Sequence, residues 1–485
     1  MPRRLAAAAL AWAALSGSAH AATEPLHPCR VPGFHTGVQC GVLQRALDPD
    51  HPQVQIDVHY VVVPALARRK LPDPVFFLAG GPGQSAISVA PMIAQQMSRL
   101  NNRRDLVFVD QRGTGKSAPL MCDEDRNATL SQLLDNKRRE QLLRQCLAQL
   151  QKLSYGDLRF FTTSLAMQDV DAVRQALGVA RINLVGVSYG TRAALEFMRA
   201  FPQAVRRSVI DGVAPPDMVL PASTSSDNQA AFDALLSACE QEAACAKTYP
   251  QLRGDWQRLL ASLPTAATLT HPLTGLSEPL TITREALLGG VRMPLYSPLT
   301  ASALPQAISA ATQGRFEPLL ALGSGFGARG ANRLAEGMHF SVVCAEDMPR
   351  LSAAVDPPGA DFGSEFSQLY AHSCSFWPRA SVPSAFYAIA VSAAPVLVLS
   401  GGIDPVTPPR HGARVALALG PLARHVVVPN AGHFVLSLGC MHEALFRFID
   451  AAADAQALQV DVGCAAKIPR PPAFIPVALA GQGTP

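Results

Sequence analysis

Short apolar runs that end in glycine turns alternate along this chain with stretches of helical periodicity. This alternation is typical of a mostly parallel β-sheet with helices on both faces. Another run, Gln55–Val63, alternates apolar and polar residues like an antiparallel edge strand. Because ligands of such sheets bind at the carboxyl ends of the strands, we expect chemistry in the turns that follow the runs. The remaining runs predict short, buried strands at Val75–Leu78, Leu106–Val109, Ile182–Val187, 208–210, 395–399 and 425–428.

The alternation stops at about residue 218 and resumes after residue 385. Apolar residues in this interval recur at helical spacing, as in 227–239, which predicts an inserted, mainly helical lid. With 485 residues and 48% hydrophobic content, the chain can bury a large core. We therefore predict a core in two parts, residues 22–217 and 386–467, separated by a lid at 218–385 and followed by a proline-rich, extended tail at 468–485.

The N-terminus has the features of a secretory signal. Arg3 and Arg4 precede a short apolar run that ends in Ala-His-Ala at residues 19–21, and these parts occur in the order that export requires. A first core helix is the alternative interpretation. We predict that residues 1–21 are removed and that the protein is exported, to the periplasm or the medium. No later apolar stretch reaches the roughly 18 uninterrupted residues of a membrane-spanning helix, so we predict no membrane span.

The ten cysteines all follow residue 21, and an even number in an exported chain indicates disulfides. None has the Cys-x-x-Cys spacing of zinc or redox sites, so we predict no metal and no other cofactor. The formal charge of +4 is small and no basic run interleaves with aromatic residues, so no nucleic-acid partner is expected. The oligomeric state stays open. Chain order suggests five local bridges, although sequence alone leaves the connectivity open: 29 with 40, 122 with 146, 239 with 245, 344 with 374 and 440 with 464.

The most informative segment is Gly-Val-Ser-Tyr-Gly at residues 186–190, between the predicted strand Ile182–Val187 and a predicted helix that ends before Pro202. A Gly-x-Ser-x-Gly pentapeptide in this position is typical of a nucleophile elbow, because side chains flanking the serine would collide with nearby backbone in so sharp a turn. The alternative is a glycine-rich strand end without chemistry. We predict that Ser188 is the nucleophile of a serine hydrolase.

A serine nucleophile needs a base, and the base needs a group that holds its tautomer. His433 is the predicted base, because it lies in a glycine loop after a strand, whereas His425 begins a strand and His442 lies in a helix. Asp404 follows the predicted strand 395–399 and is the preferred acid, with Asp211 as the competing one. The order Ser, Asp, His along the chain is that of the α/β-hydrolases, so the predicted fold is the α/β-hydrolase fold.

An oxyanion needs backbone donors that are already in place. The N–H of Tyr189, next to the nucleophile, is one candidate. The turn Gly-Gly-Pro-Gly at 80–83 offers Gly81 as the second donor and Gly80 in reserve, since Pro82 has no N–H. A simple tight turn is the alternative there.

The segment 110–117, Asp-Gln-Arg-Gly-Thr-Gly-Lys-Ser, contains a glycine, lysine and serine order that is also found in phosphate-binding loops. It lacks the first glycine of such a loop, because Asp110 occupies that position. We therefore interpret Asp110 and Arg112 as structural residues that brace the loops behind the site.

Together, the segments at 80–83, 110–117, 186–191, 402–408 and 432–433 resemble those of the proline iminopeptidase group of α/β-hydrolases (peptidase family S33), in its exported tripeptidyl-aminopeptidase-like branch. The resemblance spans nearly the whole mature chain. It implies a serine aminopeptidase that cleaves short peptides from a free N-terminus through an acyl-enzyme. The chain departs from the pattern at Ala79, where iminopeptidases usually have histidine.

The same resemblance assigns a binding role in the lid. Val-Cys-Ala-Glu-Asp at 343–347 is similar to a family segment in which an acid follows a cysteine, so Glu346 or Asp347 is expected to bind the substrate ammonium, and which of the two stays open. Some relatives are esterases, so a carboxylesterase with the same triad is the alternative function. A binding protein on an inactive hydrolase scaffold is a third interpretation, disfavoured because every catalytic position holds a competent residue.

Overall fold

The structure is a computed structural model that describes residues 26–123, 128–271, 274–323, 333–354 and 356–476. The predicted signal segment 1–21 lies outside the described residues, as does the end of the predicted tail from residue 477. The described residues form a sandwich of helices around one large sheet, with a helical segment inserted before its last two strands.

Nine of the described strands form this sheet, in the order β1-β2-β3-β5-β4-β6-β7-β10-β11. The strands β4 to β7, β10 and β11 run parallel, while β1, β2 and β3 pair antiparallel at one side. The predicted α/β-hydrolase fold with a mostly parallel sheet is confirmed. The strands are β1 His27–Cys29, β2 Val38–Ala46, β3 Gln55–Val63, β4 Val75–Leu78, β5 Leu106–Val109, β6 Ile182–Val187, β7 Val205–Asp211, β10 Val396–Gly401 and β11 Ala423–Val428, and a separate hairpin pairs β8 Thr265–Thr270 with β9 Ser277–Ile282.

Four predicted strands, β3, β4, β5 and β6, have the predicted bounds, and β7, β10 and β11 are longer than predicted. The prediction that Gln55–Val63 is an edge strand is wrong, because β2 pairs with its outer side from Gln55 to Val62. The strands β1, β2, β8 and β9 were not predicted.

The strands β4 and β5 consist of buried apolar residues throughout, because helices cover both faces of the sheet. Phe76 and Leu78 point into the core on one face, and Val75 and Phe77 point into the core on the other. The α-helices between and after the strands are α1 Ala86–Gln96, α2 Ser98–Asn101, α3 Leu130–Leu133, α4 Asn136–Leu150, α5 Thr163–Ala176, α6 Tyr189–Ala200, α16 Pro409–Leu419, α17 Met441–Asp450 and α18 Asp454–Leu458.

Helices and the β8–β9 hairpin occupy the chain between β7 and β10, where the lid is predicted. Much of this segment has its own apolar core, in which Phe232 and Trp256 pack edge to face at 4.8 Å between ring centroids. The bounds 218 and 385 stay predictions. The helices here are α7 Ala222–Gln241, α8 Ala243–Thr248, α9 Leu252–Ala261, α10 Arg284–Arg292, α11 Pro298–Ala301, α12 Leu304–Ala311, α13 Glu317–Gly323, α14 Glu336–Glu346 and α15 Glu365–Phe376.

All five suggested disulfide pairs are present: Cys29–Cys40, Cys122–Cys146, Cys239–Cys245, Cys344–Cys374 and Cys440–Cys464. The fourth joins α14 to α15 in the lid. Among the described helices, we find none with the length and apolar content needed to cross a bilayer.

Candidate active site

Ser188 occupies a sharp turn between β6 and α6. Its φ of 57° is positive, which is unusual for a residue with a side chain, and its backbone N–H donates to the carbonyl oxygen of Asp211 on the neighbouring strand. The flanking glycines are required by space, since a Cβ on Gly186 would lie 2.4 Å from the oxygen of Gly190, and one on Gly190 would lie 2.1 Å from the oxygen of Leu78. The turn therefore has the backbone geometry that the sequence predicted for a nucleophile elbow.

Asp404 and His433 are brought together at the carboxyl ends of β10 and β11. Nδ1 of His433 lies 2.9 Å from Oδ2 of Asp404, and Asp404 is fully buried. Because the proton on Nδ1 then points to the carboxylate, Nε2 of a neutral His433 is left as a proton acceptor. Burial works against protonation of His433, but the charge and hydrogen bond of Asp404 outweigh it and raise the pKa of the imidazole.

Thr407 completes this pair and was not predicted from the sequence. Its backbone N–H donates to Oδ1 of Asp404 at 2.9 Å and its hydroxyl donates to Oδ2 at 2.7 Å. The same hydroxyl oxygen lies 3.1 Å from Nδ1 of His433. A threonine three residues after a turn aspartate is a local signal for such a bond, so this contact was open to prediction.

Asp211, the competing acid, has a different place. Its Oδ2 accepts the backbone N–H groups of Val435 and Leu436, just past His433, and its Oδ1 is buried without a hydrogen-bond partner. Burial raises its pKa to about 7, in spite of the two amides and the charge of His433. Asp404 is therefore the carboxylate that accepts the hydrogen bond from Nδ1 of His433, and Asp211 holds the loop that carries the histidine.

The turn at 80–83 lies directly against Ser188. A Cβ on Gly80 would be 3.1 Å from Cβ of Ser188. The N–H of Gly80 already donates to the side chain of Gln84 at 3.3 Å, which favours Gly81 as the oxyanion donor from this turn. Tyr189 begins α6, and the first N–H groups of a helix have no partner within the helix.

The lid contributes aromatic residues that the sequence did not identify. The carbonyl oxygen of Tyr296 accepts the backbone N–H of His433 at 2.9 Å, and the two rings pack edge to face with centroids 5.1 Å apart. His339 lies between the carbonyl oxygen of Pro82, 3.1 Å from Nδ1, and the hydroxyl of Tyr370, 2.8 Å from Nε2. These contacts link the lid to the histidine loop and to the oxyanion turn. They depend on tertiary packing and leave no local pattern.

The predicted lid acids, Glu346 and Asp347, do not line an open cleft. Asp347 pairs with Arg192 of α6, each nitrogen–oxygen distance being 3.0 Å, and Glu346 accepts the backbone N–H and the hydroxyl of Thr163. Both acids and Arg192 are fully buried. To bind a substrate ammonium, either acid would have to leave these partners. We therefore interpret the pair as an anchor between the lid and the nucleophile helix, and its ammonium role stays a prediction.

The loop at 110–117 braces the core as predicted. Oδ1 of Asp110 accepts the hydroxyl of Ser85 and the N–H of Ile87, and the guanidinium of Arg112 binds the carboxylate of Asp169. Within the described residues, no group of three or more histidine, cysteine or acidic side chains has the arrangement of a metal site.

The carboxyl ends of the strands therefore carry the hydroxyl of Ser188 and the imidazole of His433, whose Nε2 can accept a proton. The backbone N–H groups of Gly81 and Tyr189 lie in turns at the same ends. Comparison with known proteins identifies the family of the chain. The family model described as "alpha/beta hydrolase fold" matches residues 73–439.

Three curated proteins are similar to this chain. The serine protease Hip1 of Mycobacterium tuberculosis (strain H37Rv) is 27% identical over 80% of this chain and 81% of its own length. A tripeptidyl aminopeptidase of Streptomyces lividans is 28% identical over 37% of this chain and 36% of its own length. Carboxylesterase B of M. tuberculosis (strain CDC 1551) is 28% identical over 79% of this chain and 78% of its own length. The family match covers most of the chain, and the chain therefore belongs to the alpha/beta hydrolase fold family.

Proposed function

We propose that this protein is an exported serine hydrolase that cleaves short peptides from a free N-terminus, with Ser188 as nucleophile, His433 as base and Asp404 as the acid that orients His433. His433 accepts the proton of Ser188 as the hydroxyl attacks the scissile carbonyl, and it returns that proton to the leaving amine. The acyl-enzyme that forms is then cleaved by water, which His433 activates in the same way.

The observation that carries the proposal is the buried bond between Asp404 and Nδ1 of His433, at the edge of the sheet where the Ser188 turn also ends. Asp404 fixes the tautomer of His433 and stabilises the imidazolium that forms during attack. The N–H groups of Gly81 and Tyr189 are the proposed oxyanion donors. The proximity of the Gly80 backbone to Ser188 supports this assignment for the turn.

The names of the relatives support a peptide substrate. A serine protease matches most of the chain, and a tripeptidyl aminopeptidase matches over a third of it. This agrees with the resemblance to the tripeptidyl-aminopeptidase-like branch of the proline iminopeptidase group. Export is proposed from the predicted signal segment, and the five disulfides support it, because disulfides persist in oxidising compartments.

A carboxylesterase is the second candidate, and a specific observation favours it. The acids Glu346 and Asp347 are occupied by Thr163 and Arg192, so neither is ready to pair with an ammonium. Carboxylesterase B is a relative of similar coverage.

A substrate panel decides between the two. Tri- and tetrapeptide p-nitroanilides with a free N-terminus would be compared with their N-acetylated forms and with p-nitrophenyl esters of short fatty acids, using kcat/KM. The proposal predicts that N-acetylation reduces kcat/KM for peptides at least roughly tenfold, the effect of one charge-assisted hydrogen bond. Turnover of esters alone would establish the esterase.

A further inference from the structure

A cavity of about 620 Å³, which is in the size range of small-molecule sites, lies between the lid and the segment that carries α3 and the start of α4. We call it the lid cavity. Helices α3, α10, α13 and α15 and the β8–β9 hairpin contribute to its wall, and most of the lining side chains are apolar. Its residues include Leu133, Leu134, Leu280, Ala286, Arg292 and Phe366.

Arg292, the last residue of α10, is the unusual member of this wall. Its Nε is buried without a hydrogen-bond partner, and among the described residues no carboxylate forms an ion pair with its guanidinium. The group stacks on the ring of Phe366 at 4.1 Å from the centroid. Arginine stays charged at any physiological pH, and a partly buried cation without an anion is unfavourable. A cation–π contact of this kind offsets only part of that cost.

Among the described residues that line the lid cavity, no other charged group forms an ion pair with Arg292, although the charge of Glu285 acts on it from a distance. Glu285 lies 3.6 Å from Arg139 and also accepts a hydrogen bond from Asn136. Glu317 is exposed to solvent at the start of α13. The guanidinium of Arg292 therefore lines a mostly apolar cavity and donates no hydrogen bond to a described residue.

Arg292 is linked to the proposed active site through neighbouring aromatic residues. Tyr296 lies four residues after Arg292 in the chain, and its ring packs on the ring of His433. On the other side, Phe366 packs on Tyr370 with ring centroids 5.1 Å apart, and Tyr370 is hydrogen-bonded to His339. Two aromatic contacts, Tyr296 with His433 and Phe366 with Tyr370, thus link residues in or next to the wall of the lid cavity to the loop of His433 and to the turn at 80–83.

We propose that the lid cavity binds the part of the substrate that lies away from the scissile bond, and that Arg292 is a specificity residue that pairs with a carboxylate on this otherwise apolar part. A carboxylate matches the planar guanidinium, and both of its oxygens can be bound at once. The inference rests on the proposed function, in that it assigns the substrate of the same site. It predicts that acidic, apolar substrates are preferred over neutral ones of the same shape.

Binding to the Ser188→Ala protein tests this without relying on turnover. Octanoate and octanamide have the same apolar chain and differ in charge at one end, and their dissociation constants would be measured by isothermal titration calorimetry. We expect octanoate to bind at least roughly tenfold more tightly than octanamide. In Ser188→Ala/Arg292→Gln this difference should disappear, with octanamide binding unchanged. Ser188→Ala/Arg292→Lys should retain part of the preference.

Arg144 provides a matched control, because its guanidinium also stacks on a ring, that of Phe376 at 3.7 Å, but it is paired with Glu140 and lies outside the lid cavity. Ser188→Ala/Arg144→Gln should keep the preference for octanoate. Equal binding of both ligands to Ser188→Ala would overturn the proposal, and it needs no arginine variant to fold. An equal loss of both ligands in the Arg292→Gln variant would also overturn it, because it would indicate a role in shape alone.

A rate comparison on the wild-type protein adds a second readout. The p-nitrophenyl monoester of octanedioic acid would be compared with p-nitrophenyl octanoate, and Arg292→Gln should reduce the ratio of their kcat/KM values roughly tenfold while leaving the neutral ester unchanged. An unchanged ratio would contradict the inference. If Ser188 is not the nucleophile, Ser188→Ala keeps its activity while the preference for octanoate persists, so failure of the two proposals can be told apart.

Discussion

Two charged groups, Asp404 at the carboxyl ends of the strands and Arg292 in the lid, differ in how many hydrogen bonds they form. The Asp404 carboxylate is buried and accepts hydrogen bonds from the backbone N–H groups of Val406 and Thr407, from the hydroxyl of Thr407 and from Nδ1 of His433. In the lid, the Arg292 guanidinium has no hydrogen-bond or ion-pair partner among the described residues. A saturated carboxylate cannot move without losing several bonds, which suits a group that holds a catalytic histidine. An unsaturated guanidinium is available to a ligand.

Charged groups have a third arrangement where the lid packs against α6. Arg192 belongs to α6, and its carboxylate partners, Glu346 and Asp347, belong to the lid. This buried cluster gives a physical reason for the lid to keep one orientation over the elbow, since separating it would leave charges buried and unpaired. We therefore expect removal of a charge to have different effects at Asp404, at Arg292 and in the buried cluster around Arg192.

The largest expected effect is at the elbow. Ser188→Ala removes the nucleophile, so kcat should fall by roughly 10⁴- to 10⁶-fold on every substrate. The unfolding temperature should change little, because Ser188 is partly exposed and its side chain caps no helix. Steady-state assays on peptide and ester substrates measure the first effect, and thermal unfolding measures the second. Ser437→Ala, at an exposed serine of the histidine loop, is the control. Residual turnover near the wild-type rate would exclude Ser188.

The two candidate acids give the next largest contrast. Asp404→Asn should reduce kcat on the order of 10⁴-fold, because an amide in this position favours the wrong tautomer of His433. Asp211→Asn should reduce kcat by no more than about tenfold, because its carboxylate binds backbone amides that an asparagine oxygen still accepts. Measuring kcat for both variants tests the assignment. The reverse order of effects would make Asp211 the catalytic acid.

The turn at Ser188 and the buried strands show which features a local sequence pattern can predict. The residues Gly186 and Gly190 were predicted from spacing because a Cβ at either place meets backbone, a constraint that acts within one turn and one neighbouring strand. Buried strands such as β4 were predicted with their bounds because runs covered on both faces are apolar throughout. The strand β2 was missed because its burial alternates irregularly and it contains glutamine, arginine and cysteine.

The lid was predicted as an inserted, mainly helical segment, but its buried contacts were not, and the reason is physical. Either Glu346 or Asp347 was expected to face substrate, whereas Asp347 pairs with Arg192, which lies 155 residues earlier in the chain. No pattern of residue spacing can reveal a contact between two residues so far apart in the sequence. In the sequence, Arg192 and Glu196 stand among apolar residues of the predicted helix after Ser188, and this was the available signal that the helix needs charged partners.

The anchor predicts an effect on stability that depends on which acid is changed. Asp347→Asn should lower the free energy of unfolding by about 3 kcal/mol, because it leaves Arg192 buried with too little opposite charge. Glu346→Gln should have a smaller effect. Burial raises the pKa of Glu346 to about 7, against the influence of Arg192, so that side chain is partly neutral near pH 7. Urea unfolding at pH 7 measures both.

The same two variants test the earlier assignment of an ammonium partner. If the acids only anchor the lid, each variant should change kcat/KM for free-amine peptides and for neutral esters by the same factor. A selective loss of roughly tenfold or more on free-amine peptides would restore the acid concerned as the ammonium partner. Asp171→Asn, at a buried acid that binds Arg174 and Gln175 within α5, is a control for charge removal elsewhere in the core.

A smaller effect is expected for Thr407→Val, which keeps the shape and removes one hydroxyl. The hydroxyl donates to Oδ2 of Asp404 and contacts Nδ1 of His433, so its loss should reduce kcat roughly tenfold through poorer orientation of the histidine. Thr407→Ser retains the hydroxyl and should recover most of the rate. An inactive serine variant would indicate that the methyl group, and thus packing, is what matters there.

The smallest expected effect is on the pH dependence of the wild-type protein. Attack by Ser188 requires neutral His433, so kcat/KM should rise with pH and level off above the pKa of the free enzyme's histidine. Because the charge of Asp404 outweighs burial and raises that pKa, the midpoint should lie above the ordinary imidazole value of about 6.5. Neutral ester substrates avoid any titration of a substrate amine, and their kcat/KM between pH 5 and pH 9 measures the midpoint. In Asp404→Asn the residual activity should have its midpoint at lower pH, since only the charge of Asp211 then opposes the effect of burial on the pKa of His433. A midpoint below about 6 in the wild-type protein would contradict the pairing of His433 with Asp404 that distinguishes the sheet edge from the lid.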